Sequence, residues 1–354
     1  MQQTALASPT PAVDAAVFAR VASFRRADVE SLDRIEAREI GFDFARRGLV
    51  PPEDCGVAFR EGWLEGRARF GHRTDAGTPW DRKLLRLRLS AWRRNRLVDA
   101  GVTPAYLEQI SVDICPITRE PLTSGTGGLS DATVDRVFNG GAYAVGNLAV
   151  MSQRANLAKA NRTIDEIIEI ADRPAGNDEL CEGLDQLGWH RLASLCNIAL
   201  PREVEQHFRP LLVWPPSGLM VSNTIGMLMM QTGLVAMNRF RPAVVSRVRE
   251  VCGTKAARKA FDEYVGTLRV RIAVLSKGPV RTASSVFHPL EDAWMSPLVW
   301  QRFVKFVTTT PPAGLVGVVH ATQDAMGGGL KPINAEQLRG WAIETQGYRR
   351  DIVA

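Results

Sequence analysis

Apolar and polar positions change period several times along the chain, and the changes mark its parts. Over residues 11–71 the apolar positions recur at helical spacing among Ala, Arg and Glu, interrupted at Pro51-Pro52, Gly62 and Gly66, which predicts a small helical region. In the stretch DRKLLRLRLSAWRRNRLVD, residues 81–99, Leu85, Leu89 and Trp92 share one stripe while Arg82, Arg86 and Arg93 lie off it. That spacing predicts an amphipathic basic helix, ended by Gly101. Thr103 and Pro104 supply a cap and a first-turn proline for a short helix, and residues 111–114 read as extended. After a Gly- and Ser-rich loop over 124–130, residues 132–137 alternate with period two. Asn139-Gly140-Gly141 signals a turn, 147–151 reads as a second strand, and a helix opens near Ser152, a plausible N-cap. Thr163 and Glu166 form a capping box for the next helix, and residues 171–179 read as a linker. From there the pattern is helical to the end, broken at Pro201, Pro215-Pro216, Pro279, Pro289 and Gly327-Gly328-Gly329.

The expected fold class is therefore mainly α with a small embedded ββα element, a multi-domain α+β chain. At 354 residues more than one core is expected. The predicted divisions are a helical region over 1–80, the basic helix with the ββα element over 81–172, and a helical region over 173–354. Hydrophobic residues at 45% and charged residues at 23% exclude a disordered class. The first eighteen residues lack the basic flank and apolar run of a secretory leader. Residues 210–238 carry no charge, and 217–237 approach bilayer length, but Asn223, Thr224, Gln231, Thr232 and three glycines favour a buried helix over a membrane span. Five cysteines without a CxxC pair predict reduced thiols in a cytoplasmic protein and no structural zinc.

Charge changes the picture locally. The formal net charge is +6, and residues 81–99 hold seven basic side chains against two acidic ones. Such density suits phosphate contact through Arg82, Arg86, Arg93 and Arg94, although solvated arginines paired with acidic neighbours give the same pattern. Within the ββα element, Asn156 and Lys159 share a helix face, and the predicted hairpin can set Asp135 opposite Asn156. A carboxylate and an amide oxygen are hard donors suited to Mg²⁺ or another divalent metal, which could polarise a phosphodiester.

VDRV at 134–137, the Ala142-Tyr143 turn and GNLAVMSQRANLAK at 146–159 together resemble the signature of HNH (ββα-metal, or His-Me finger) nucleases. The likeness covers about fifty residues and rests on several spaced positions. It implies Asp135 and Asn156 as metal ligands, Asn147 as the residue that pins the loop, and Lys159 as the basic residue following the helix-borne ligand. Two positions depart from the family. Arg136 stands where the general-base His belongs, and an arginine cannot take a proton from water. The two Cys pairs that brace many members on zinc are reduced to Cys115, with Ser152 and Ala155 at the second pair. His72 could reach the finger as a substitute base only through a flexible loop and is not assigned that role.

The resemblance implies a nucleic-acid-directed protein, its partner expected to be DNA. One expectation is a divalent-metal-dependent endonuclease in which Arg136 steadies charge on the scissile phosphate, while Arg82 to Arg96, Lys159 and Arg162 hold the backbone. The alternative is a catalytically inactive nucleic-acid-binding protein that keeps the finger. A third reading is a helical interaction protein assembled through residues 210–238.

Overall fold

The computed structural model describes residues 33–71, 73–173, 181–199, 209–221, 223–276, 283–323 and 340–349. The N-terminal leader, His72, most of the expected linker (174–179) and the breaks at Pro201, Pro279 and Gly327 to Gly329 lie outside them. The chain is mainly helical, and among the described residues its sheet has two strands. It divides into two compact units, one running to Arg94 and the other beginning at Asn95. This differs from the expected boundaries near 80 and 172, for a reason visible in the two cores.

The first unit packs a helix over residues 33–46 (α1) with α2 (Val57–Phe70) and α3 (Pro79–Arg93). Leu85 and Leu89 of α3 join Ala37, Ile40, Phe44, Cys55 and Phe59 in one core, so the basic helix belongs with the N-terminal helices. Gly62, which reads as a break in the sequence, sits inside α2 as a crossing point: a Cβ there would stand 1.9 Å from the Arg38 carbonyl oxygen. Thr78 and Asp81 form a capping box that starts α3, two residues before the expected start. The helix stops at Arg93 rather than 99. Asn95 turns left-handed (φ 53°), and Arg96 and Val98 instead bridge to Tyr348 and Tyr143.

In the second unit, β1 (Ala132–Arg136) and β2 (Leu148–Ser152) pair antiparallel, with Asp135 opposite Ala149. Around them run α4 (Pro104–Gln109), α5 (Gln153–Lys159), α6 (Ile164–Asp172), α7 (Gln186–Ala199), α8 (Thr224–Ala236), α9 (Pro242–Val251), α10 (Lys255–Leu275), α11 (His288–Ala293), α12 (Pro297–Thr309) and α13 (Pro312–Gln323). Cys115, Met151, Ala155 and Ala158 of the ββα unit bury in the same core as Leu192, Met229, Phe261 and Phe303, which is why no division falls at 172. The uncharged stretch becomes α8, whose residues from Ile225 to Ala236 are all buried. Thr232 hydrogen-bonds Tyr264 of α10 at 2.8 Å there, so its hydroxyl is satisfied by protein, whereas the buried Gln231 amide has no partner among the described residues. No described helix is long and apolar enough to cross a membrane. Arg119 ties the turn after Cys115 to α11 through Glu291 (2.8 Å) and Asp292 (2.7 Å).

Candidate functional site at the ββα unit

The unit begins at a tight turn in which Arg119 N–H donates to the Cys115 carbonyl (2.8 Å) and Cys115 N–H to that of Glu120 (2.9 Å). The buried Cys115 Sγ accepts from the backbone N–H groups of Thr118 (3.4 Å) and Ser152 (3.3 Å), and its thiol lies 3.4 Å from Ser152 Oγ. Ser152 Oγ in turn accepts from Ala155 N–H at 3.2 Å and caps α5, as its position in the sequence predicts. Thr118 therefore stands where a second thiol of a Cys-x-x-Cys pair would be. Hydrogen bonds and apolar packing brace this end of the unit.

Asp131 organises the Gly- and Ser-rich loop, accepting from Thr123 Oγ1 (2.7 Å), Thr126 Oγ1 (2.8 Å) and Gly127 N–H (2.8 Å). The Thr123 hydroxyl first, then Thr126, hold its carboxyl down at about 2. Asn147 is fully buried and pins the loop after β1. Its Oδ1 accepts from Phe138 N–H (2.8 Å), while its Nδ2 donates to the carbonyls of Phe138 (3.1 Å) and Ala142 (2.9 Å).

Successive strand side chains point to opposite faces, so Asp135 and Arg136 diverge at the end of β1. Arg136, 2% exposed, donates to the carbonyls of Asn139 (2.8 Å) and Gly141 (2.9 Å) and lies over the Tyr143 ring at 5.1 Å. Asp135, 6% exposed, accepts from the Lys159 ammonium at 2.9 Å, and the same Nζ donates to Asn139 Oδ1 at 2.6 Å. Lys159 has no exposed surface. These two basic side chains were expected to contact nucleic acid. Both instead lie inside the fold, because the loop's carbonyls and the Asp135 carboxylate need buried donors.

Asn156 lies one turn before Lys159 on α5, half-exposed, and among the described residues its side chain has no hydrogen-bond partner. The Lys159 ammonium, not the Asn156 amide, thus meets Asp135. A divalent metal does not fit this donor set: the carboxylate is already neutralised by an ammonium, and what remains is a neutral amide. Among the described residues no group of three His, Cys, Asp or Glu side chains could hold a metal.

The remaining expected phosphate contacts divide by environment. Arg93 pairs with Asp54 (2.6 Å), Arg88 with Asp43 (3.2 Å), and Arg94 hydrogen-bonds Ser90 of its own helix. Arg82 is half-buried, with a buried Nε that has no partner among the described residues, whereas Arg86 is exposed. Arg162 pairs with Glu182 and lies over Trp189 at 5.7 Å.

One part of the site has no signature in the sequence. Residues 340–349 lie along the loop after β1: Trp341 accepts from Ala142 N–H (2.6 Å) and its indole donates to the Val145 carbonyl (3.0 Å). Gly347, at φ 71°, comes so close that a Cβ would stand 2.3 Å from the Gly141 oxygen. Arg96 donates to the Gln346 carbonyl (2.6 Å) and Tyr348 Oη (2.8 Å). Between this segment, the loop and the α5–α6 turn lies a cleft of about 600 Å³. Its only advance signal is Trp341 and Tyr348 near the C-terminal end.

Comparison with protein-family models, with curated proteins and with solved structures returns no match.

Proposed function

We propose that this chain is a nucleic-acid-binding protein in which an HNH-like finger is retained as a structural element without hydrolytic activity. The observation that carries the reading is the buried Lys159–Asp135 contact at 2.9 Å: a fixed internal cation occupies the carboxylate that a nuclease finger would offer to a metal. Arg136 supports the same reading, because the side chain in place of the general base holds two loop carbonyls and has no route to a water nucleophile. The nucleic-acid part rests on the resemblance over 134–159, on the excess of basic residues, and on arginines that remain outside, Arg86 on α3 foremost.

The finger's contribution is then positional. Asn147 and Arg136 hold the loop over 137–143 in one conformation, and Cys115 with Ser152 fixes the start of α5. A rigid loop and helix start can present backbone donors and flanking side chains to phosphates without reorganising on binding.

The test is cleavage and binding measured together on plasmid, linear duplex and single-stranded DNA with Mg²⁺ or Mn²⁺, for wild type, Asp135→Ala and Arg86→Glu. The reading expects salt-dependent binding weakened by Arg86→Glu and no metal-dependent cutting by any of the three. Cutting by wild type that is lost in Asp135→Ala would establish the endonuclease instead, and failure to bind any of the substrates would remove the nucleic-acid assignment.

A further inference from the structure

The cleft beside the loop brings aromatic, basic and amide side chains together on one wall. Its walls include Arg96, Phe138, Asn161, Arg162, Asp165 and Tyr348. The Arg96 guanidinium lies 3.5 Å from the centroid of the Tyr348 ring and is held there by the Gln346 carbonyl and Tyr348 Oη, which makes a planar cation on an aromatic base. Phe138 adds a second aromatic side chain, fixed against Trp341 at 6.4 Å between ring centroids. Arg162 is restrained by Ala158, Glu182 and Trp189, so both arginines are ordered before any ligand arrives. Asn161 is exposed, and among the described residues its side chain makes no hydrogen bond.

We propose that this cleft accepts one unstacked nucleotide, a nucleoside monophosphate unit of a single strand. Bases lying outside a duplex are recognised by stacking on aromatic rings and arginine planes and by hydrogen bonds to their edges. Arg96 on Tyr348 and the Phe138 ring supply the stacking surface, the Asn161 amide supplies both a donor and an acceptor for a base edge, and Arg162, held on the same wall by Glu182, is the cation nearest to hand for the phosphate. The volume falls in the range of small-molecule sites and exceeds what a phosphate ion alone would fill. This inference rests on the nucleic-acid reading above but concerns residues outside the Asp135–Lys159 pair, so the two can fail separately.

The experiment uses the full chain and a fluorescein-labelled single-stranded decamer, followed by anisotropy, with competition by dAMP, by inorganic phosphate and by an abasic decamer. The expected result is binding that dAMP displaces, that inorganic phosphate at equal ionic strength does not, and that the abasic strand shows about tenfold more weakly. Asn161→Asp, an exposed change that adds a negative charge at the mouth, is expected to weaken decamer and dAMP binding several-fold with an unchanged melting temperature. Tyr348→Ala is expected to weaken both about tenfold. Decamer binding that neither variant alters and dAMP does not compete would overturn the cleft assignment while leaving the nucleic-acid reading in place. Binding of dAMP without binding of any strand would keep the nucleotide site and remove the strand as its source. No binding of dAMP or of the decamer would overturn the proposal.

Discussion

Replacing Lys159 by methionine keeps the length of the side chain and removes its charge, which isolates what the ammonium does. In wild type it satisfies a carboxylate 6% exposed and the Asn139 amide oxygen, at 2.9 and 2.6 Å, from a position with no solvent access. Removing one partner of a buried pair leaves an uncompensated charge, at a typical cost of about 3–5 kcal/mol. For a unit of this size that corresponds to a fall in melting temperature of roughly 6–20 °C. Asp135→Asn leaves Lys159 facing a neutral group and is expected to destabilise by a similar amount. The double variant Asp135→Asn/Lys159→Met has no buried charge at this place and should lose only about 1–2 kcal/mol, giving a coupling energy of about 5–8 kcal/mol. Urea denaturation of the four proteins, with the slope checked for constancy, measures this cycle. Single variants within about 1 kcal/mol of wild type, or losses that simply add in the double, would refute the claim that these two charges compensate one another.

Other expectations follow from the same geometry. Asn147→Ala removes three hydrogen bonds from the loop backbone at a fully buried position, and a loss of about 3 kcal/mol or more is expected in thermal or urea unfolding. Because hydrogen bonds hold the Asp131 carboxyl near 2, below its ordinary value of 3.8, its contribution is fully present above about pH 4 and is lost as pH falls through 2. Amide exchange at Gly127 should accelerate over that window in wild type and be fast throughout in Asp131→Ala. Thr118→Cys/Ser152→Cys/Ala155→Cys completes a four-thiol set with Cys115. Zn–S bonds near 2.3 Å imply thiols roughly 3.8 Å apart, close to the 3.4 Å between Cys115 Sγ and Ser152 Oγ, so the variant should purify with one zinc by elemental analysis and wild type with none.

Local chemistry was readable in the sequence wherever partners lie within a few residues. The Ser152 cap, the Thr163–Glu166 capping box and the two-strand hairpin stand as expected because each rests on spacing within one turn or one hairpin. Helical period could put Lys159 and Asn156 on one face of α5, but it could not say which of them meets a carboxylate 24 positions earlier. Burial decides that, and burial is a property of the whole fold. The docking of residues 340–349 joins parts of the chain separated by as many as 253 positions, with no periodic signal to announce it. The membership of α3 was hidden in the same way: its stripe of Leu85 and Leu89 shows that the helix is buried on one side, without showing against what.

If the Lys159 ammonium stands beside Asp135 where a metal would otherwise sit, the wild-type protein should not take up manganese. Titrating wild-type protein into a fixed concentration of Mn²⁺ and recording the electron paramagnetic resonance of the free ion should leave the signal at full amplitude at micromolar protein. A stoichiometric loss of signal in wild type that disappears in Asp135→Ala would contradict the account, because it would mean that the carboxylate gives up Lys159 for a metal.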